Sequence, residues 1–109
     1  MKTELVIDFN LNGKHFWPNP PEKYNDFQYY HQHLFRFNCW LAVDTVNPQS
    51  RIVELFELRR NTIKAICDEF GCEPCNFRDY SCEGIAQWLK PYFSKVFVGE
   101  ADNFGAFVY

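Results

Sequence analysis

Residues 29–44 read YYHQHLFRFNCWLAVD, and the regular alternation within this stretch decides the fold. From His31 to Leu41 every second residue is aromatic or apolar, a pattern typical of a long β-strand. Because side chains two residues apart in a strand point to the same face, His31 and His33 are expected to lie side by side. A turn at residues 47–50 then follows the strand.

A first strand is predicted before this one. Residues 3–11 alternate from Leu5 onward, and Asn12-Gly13 is expected to break or bulge the strand. Residues 16–28 contain three of the six prolines and four aromatic residues, which predicts a loop with a small core of its own. The two strands are therefore expected to be joined by this aromatic loop.

The second half of the chain predicts two helices and a hairpin. Apolar spacings of three and four over residues 52–70 predict an amphipathic helix that stops at a glycine. Residues 71–80 are expected to form an irregular link, and residues 81–90 a short helix capped by its first serine. Residues 96–98 and 106–108 flank a predicted turn. The order β-β-α-α-β-β predicts an α+β fold, a four-stranded antiparallel sheet with two helices on one face.

Composition excludes several classes of protein. The 109 residues suit one domain, residues 1–109, and 47% apolar content is that of a globular chain rather than a disordered one. A net charge of −3 without a lysine or arginine block argues against nucleic acid as a partner. No apolar run reaches the roughly 18 residues that cross a membrane. The aromatic content of 19% favours a flat-ligand pocket or an oligomer interface as well as a core.

The cysteines and the first residues predict a compartment. Five cysteines are an odd number, and residues 1–5 have neither the apolar region nor the cleavage site of a signal peptide. We therefore expect a cytoplasmic location, with thiols rather than disulfides. Four of the cysteines fall between residues 67 and 82, where thiolates at such spacing suit a structural zinc site, although ordinary buried thiols are the simpler interpretation. Cys82 begins a helix, whose dipole is expected to lower its pKa.

The three histidines suggest a metal site. His15 follows the first strand, and in an antiparallel pair that end returns beside the start of the strand that carries His31 and His33. Three imidazoles on one face leave a fourth position open, as catalytic zinc requires. The alternative is that they are ordinary strand and loop residues, since an H-x-H pair is a weak signal by itself.

Several short motifs occur together in one order along nearly the whole chain. They are His15-Phe16-Trp17-Pro18-Asn19, Tyr30-His31-Gln32-His33, residues 51–58, residues 81–89, and Val98-Gly99-Glu100 followed by Asn103-Phe104-Gly105-Ala106. As an ordered set they resemble the 6-pyruvoyl-tetrahydropterin synthase and 6-carboxytetrahydropterin synthase family.

The resemblance implies a fold, a reaction and a ligand set. The family has the tunnelling fold, whose subunits join their sheets into a barrel, so a homo-oligomer (trimer or hexamer) is expected. It implies zinc on His15, His31 and His33, and a pterin anchored by Glu100 through its amino-pyrimidine edge. The implied enzyme is a carbon–oxygen lyase of biopterin or queuosine biosynthesis that acts on a dihydroneopterin triphosphate-like substrate.

The proton-transfer residues of the family are not matched. Phe27 occupies the position of the usual catalytic cysteine, where it is predicted to contact the substrate instead. Asp26 and Glu69 are the candidate substitutes, because each carboxylate lies near a missing family residue in the sequence. The chain has no fourth histidine to complete the family's Asp–His pair. A second hypothesis is therefore a catalytically degenerate protein of the same fold that binds a pterin or purine, and a third is a structural assembly without metal.

Overall fold

The computed structural model describes residues 1–100 and 104–109. The turn of the last hairpin is predicted over residues 99–105, of which residues 101–103 lie outside the described residues; 99–100 and 104–105 belong to strands. The strands are β1 (Lys2–His15), β2 (His31–Asp44), β3 (Cys75–Asn76), β4 (Lys95–Glu100) and β5 (Phe104–Val108). The α-helices are α1 (Leu55–Phe70) and α2 (Cys82–Leu89), and 3₁₀ segments cover Glu22–Gln28 and Lys90–Tyr92.

The sheet is mixed and has the strand order β3-β1-β2-β4-β5. Neighbouring strands pair antiparallel except for β3, which runs parallel to β1 beside Gly13 and Lys14. The α+β class is confirmed, but the prediction of four antiparallel strands is wrong. The fifth strand comes from the link at residues 71–80, where two residues pair with the free edge of β1. A strand of two residues is too short to have a hydrophobic pattern that predicts it.

The first strand continues through Asn12-Gly13 to His15, which corrects the predicted break. Gly13 is buried opposite His33 in β2. A Cβ atom built on Gly13 would lie only 2.5 Å from Cε2 of Phe77, so the glycine makes room for this buried ring. The missing side chain therefore serves close packing, and the strand remains paired.

Both predicted helices are present, each with a capping side chain. Helix α1 begins at Leu55 rather than Ile52, because the Glu54 carboxylate accepts hydrogen bonds from the N–H groups of Phe56 (3.1 Å) and Glu57 (2.8 Å). It ends at Gly71, whose φ of 71° few other residues adopt easily. Ser81 caps α2 by accepting from the N–H of Gly84 at 3.1 Å.

The core lies between one face of the sheet and the two helices. Odd-numbered residues of β1 and β2 point inward, so burial alternates along both strands. Fully buried phenylalanine rings contribute about 1.5–3 kcal/mol each by leaving water. The core contains Ile7, Leu11, Phe35, Phe37, Val96 and Val98 from the strands, Ile66, Phe70, Ile85 and Leu89 from the helices, and Phe77 from the link.

One cysteine pair is oxidised. Cys72 and Cys75 form a disulfide within the link, contrary to the expectation that all the cysteines are thiols. The free cysteines are Cys39, Cys67 and Cys82. Among the described residues, no helix is long and apolar enough to cross a membrane.

Candidate metal centre and cavity

Strand register brings the three histidines together at one end of the sheet. His15 is directly opposite His31, and His33 lies two residues further along β2, on the same inward face. On the other side of β2, Phe35 is opposite Glu100 of β4, which places this carboxylate diagonally across from His33. The same corner of the fold therefore receives one donor from β1, two from β2 and one from β4.

The four side chains are close enough to share an ion. One ligand atom from each of them lies within 4.8 Å of the others. Nε2 of His15 is 3.1 Å from Oε1 of Glu100, and Nε2 of His33 is 3.5 Å from Oε2 of the same carboxylate. The rings of His15 and His31 lie edge to face with centroids 4.5 Å apart. These groups are able to bind a metal ion.

Backbone carbonyl groups fix the orientation of two of the imidazoles. Nδ1 of His15 lies 2.9 Å from the carbonyl oxygen of Tyr80, and Nδ1 of His31 lies 3.1 Å from that of Tyr29. Because a carbonyl oxygen only accepts, each Nδ1 must be the protonated donor. In the neutral rings Nε2 then carries the lone pair, which is the arrangement that second-shell partners give to metal-binding histidines.

Nε2 of His15 is a buried polar atom without a hydrogen bond. Oε1 of Glu100 is only 3.1 Å away, but a carboxylate oxygen and an unprotonated Nε2 both only accept, so within residues 1–100 and 104–109 the nitrogen has no hydrogen-bond partner. A buried polar group left unsatisfied costs about 1–3 kcal/mol. A metal ion between the imidazoles would remove this cost, so the donor set fits a cation.

Burial also favours the neutral histidines that a metal requires. Loss of solvent lowers the pKa of His15 below its ordinary value, with His31 and His33 adding to the effect and Tyr80 and Glu100 opposing it. Burial likewise lowers the pKa of His33, assisted by His31 and opposed by Glu100. Near neutral pH both imidazoles therefore offer lone pairs instead of charges.

The histidines and Glu100 form part of the wall of a cavity of about 560 Å³. Trp17 and Phe27 build another part of this wall, and Tyr24, which does not line the cavity, stacks against both. The rings of Trp17 and Tyr24 stack with centroids 5.7 Å apart, and those of Tyr24 and Phe27 stack at 5.9 Å. Phe27 then contacts His31, at a centroid distance of 5.4 Å. Flat aromatic surfaces beside polar donors suit a planar heterocycle.

The predicted site residues separate into two groups. Phe27 and Glu100 line the cavity together with the histidines. Asp26 and Glu69 are exposed and do not line it. Asp26 belongs to the 3₁₀ segment, while the carboxylate of Glu69 on α1 accepts a hydrogen bond from Nη2 of Arg78 at 3.2 Å.

The start of α2 supplies cavity residues that the sequence did not predict. Asp79, Ser81, Cys82 and Glu83 all line the wall. The only sequence signal for this part of the wall was the predicted cap at Ser81, which indicates where α2 begins but not that its start faces a cavity. Burial, followed by the charges of Glu100 and Glu83, raises the pKa of Cys82 to about 12. The expectation that the helix dipole lowers it is therefore wrong, because burial favours the neutral thiol.

Comparison with models of known protein families finds no match, and a search of curated proteins finds no relative.

Proposed function

We propose that this protein is a zinc-dependent pterin-processing lyase, similar to the 6-pyruvoyl- and 6-carboxytetrahydropterin synthases, acting on a dihydroneopterin triphosphate-like substrate. The observation that carries the proposal is the convergence of His15, His31 and His33 on one wall of an aromatic cavity. In this proposal the fold is the tunnelling fold, and the chain assembles into a trimeric or hexameric barrel.

The donor set supports zinc as the ion. Imidazole nitrogen and carboxylate oxygen are ordinary zinc ligands, and three histidines leave a position for a substrate oxygen. Zinc held there supplies Lewis-acid polarisation of that oxygen, which makes a proton on the adjacent carbon easier to remove. The buried lone pair on Nε2 of His15 and the neutral state that burial favours for His15 and His33 are the chain's own contribution.

Glu100 has two possible uses in this site. A carboxylate accepts two parallel N–H bonds from an amino-pyrimidine edge, which gives both affinity and orientation. Its oxygens also lie within 3.1 and 3.5 Å of two histidine nitrogens, so the same group can contribute to the metal site. We assign it the pterin-anchoring role, with Phe27 stacking on the planar ring.

Proton transfer needs a group other than the family's cysteine, because Phe27 occupies that position. Asp26 and Glu69 remain the candidates from the sequence, although neither lines the cavity of a single chain. Asp79 and Glu83 do line it, and they are better positioned to reach a bound substrate. Either carboxylate can accept a proton from carbon and return it to a neighbouring position.

A second candidate function is binding without turnover. Trp17 and Phe27 line the cavity and offer flat surfaces to a pterin or purine, and Phe27 itself has no proton to exchange. This alternative retains the ion and the anchor but not the lyase reaction.

Elemental analysis combined with product analysis tests both candidates. The purified chain is analysed for zinc and then incubated with dihydroneopterin triphosphate. Zinc with product formation supports the lyase, while zinc and pterin binding without product supports the binding protein. A chain that neither retains zinc nor binds the pterin contradicts both. Glu83→Gln and Asp79→Asn then identify the base, since the variant lacking it should lose turnover but keep its zinc.

A further inference from the structure

A second group of metal-binding side chains lies at the end of α1, outside the histidine cavity. The sulfur atoms of Cys67, Cys72 and Cys75 lie within 4.8 Å of one another. Cys67 belongs to the last turn of α1, Cys72 is exposed in the loop, and Cys75 is buried in β3. A helix end, a loop and a sheet edge thus direct sulfur to one point.

We propose that the reduced chain binds one thiophilic d¹⁰ cation, Zn²⁺ or Cd²⁺, between Cys67, Cys72 and Cys75, and that the Cys72–Cys75 disulfide closes this site. The C-x-x-C spacing of the last two cysteines is common in zinc sites with thiolate ligands. With zinc–sulfur bonds of about 2.3 Å in tetrahedral geometry, ligand sulfurs lie about 3.8 Å apart. Cys67 is already close, so mainly the exposed Cys72 must turn after reduction.

The groups around the three sulfurs create a negative electrostatic potential. The last turn of α1 contains no basic side chain, although the carbonyl end of a helix attracts positive charge. The negative charges of Glu73 and Asp68 act on the Cys67 sulfur. The charge of Asp68 is compensated, because Nζ of Lys64 lies 2.7 Å from its carboxylate. Glu73 instead accepts a hydrogen bond from the neutral N–H of Asn12, at 2.7 Å from its Oε2, and this contact does not compensate its charge. A cation therefore gains attraction here.

The redox step balances with a dithiol as the reductant. The dithiol gives two electrons and two protons to the Cys72–Cys75 bond, which breaks into two thiols, and the dithiol itself becomes a disulfide. Binding of the cation then releases the thiol protons to solvent, because the thiolate is the ligand. The oxidised chain retains only the Cys67 thiol of the three.

Cadmium titration of the full chain tests the proposal. One sample is reduced with an immobilised dithiol and kept without oxygen, and a second stays oxidised. The readout is the ultraviolet sulfur-to-cadmium charge-transfer absorbance, which histidine ligands do not produce. We expect saturable absorbance in the reduced sample only. No absorbance after reduction, or equal absorbance in both samples, would overturn the proposal.

Variants identify the ligands and separate this site from the histidine site. Cys67→Ser and Cys72→Ser are each expected to weaken cadmium binding by more than about tenfold, the factor that 1.4 kcal/mol represents. Both positions have solvent contact, so the substitutions should preserve the fold, as far-ultraviolet circular dichroism can verify. His31→Ala/His33→Ala retains every cysteine and should leave the absorbance unchanged. Unchanged binding in both serine variants would exclude the three-sulfur site.

Discussion

The histidine cluster and the cysteine cluster differ in what holds their donors in place. The register between β1 and β2 is fixed over the whole length of both strands, so His15 and His31 remain opposite each other whatever the ligand. The positions of Cys72 and Cys75 instead depend on the loop that their disulfide closes. Donors on paired strands are ready to bind at any redox state, whereas donors on a loop can be switched by oxidation.

The largest expected effect is loss of the metal from the histidine cluster. We expect oxidised protein with His31→Ala/His33→Ala to lose its zinc on dialysis, because two of the nitrogen ligands are removed while the cysteine site stays closed. Elemental analysis before and after dialysis provides the measurement. Cys67→Ser, treated in the same way, is the control and should keep its zinc. Zinc retained by the double histidine variant would place the ion elsewhere.

Glu100→Gln is expected to have the next largest effect. Loss of a charged acceptor should weaken pterin binding by about 1–3 kcal/mol, measured by calorimetry on the zinc-loaded protein. Competition with a chromophoric chelator measures zinc affinity in the same variant and shows whether the carboxylate is also a ligand. Glu83→Gln is a suitable control for zinc affinity, since Glu83 lines the cavity from α2. Unchanged pterin affinity would remove Glu100 from the anchoring role.

Gly13→Ala tests how tightly the strand pair is packed behind the histidines. The new Cβ would lie 2.5 Å from the buried ring of Phe77, and such overpacking costs about 1–3 kcal/mol of unfolding free energy. Gly84→Ala is the matched control, because its Cβ would meet Tyr80 at an ordinary 3.4 Å and alanine favours a helix. Urea unfolding of both variants provides the comparison. Equal stabilities would mean that Phe77 moves aside easily.

The sequence predicted the histidine cluster because its periodicity is simple. Alternation places His31 and His33 on one face, and an antiparallel return brings His15 to them. Glu100 entered the prediction only by resemblance, since its approach to the histidines depends on the register of β4 against β2. That register is set by long-range pairing, which no local pattern contains.

At Asn12-Gly13 and at the cysteines, the sequence favoured a structure that the protein does not have. Asn12-Gly13 indicates a break or bulge in the strand, but the space that Gly13 leaves for Phe77 is visible only in the folded chain. An odd number of cysteines suggested thiols, whereas the loop brings Cys72 and Cys75 close enough to form a disulfide. In both cases a distant or folded-state contact overrides what the local residues indicate.

The smallest predicted effect is a pH dependence of the metal-free protein. His15 and His33 have lowered pKa values in the folded chain, while in the unfolded chain they take up protons near the ordinary value of 6.5. Below about pH 6.5 the unfolded state therefore binds more protons, so the free energy of unfolding should fall as the pH drops towards the lowered values. Above pH 6.5 both states are neutral and these groups contribute no slope.

Urea unfolding of metal-free protein between about pH 5 and pH 8 measures this dependence. His15→Gln should have a shallower slope below pH 6.5, because the more deeply buried imidazole no longer titrates. The same variant should keep the flat region above pH 6.5. If the metal-free protein and His15→Gln showed identical slopes, His15 would have an ordinary pKa in the native chain. The lone pair on Nε2 would then rest on the contact of Nδ1 with the Tyr80 carbonyl alone, without help from burial.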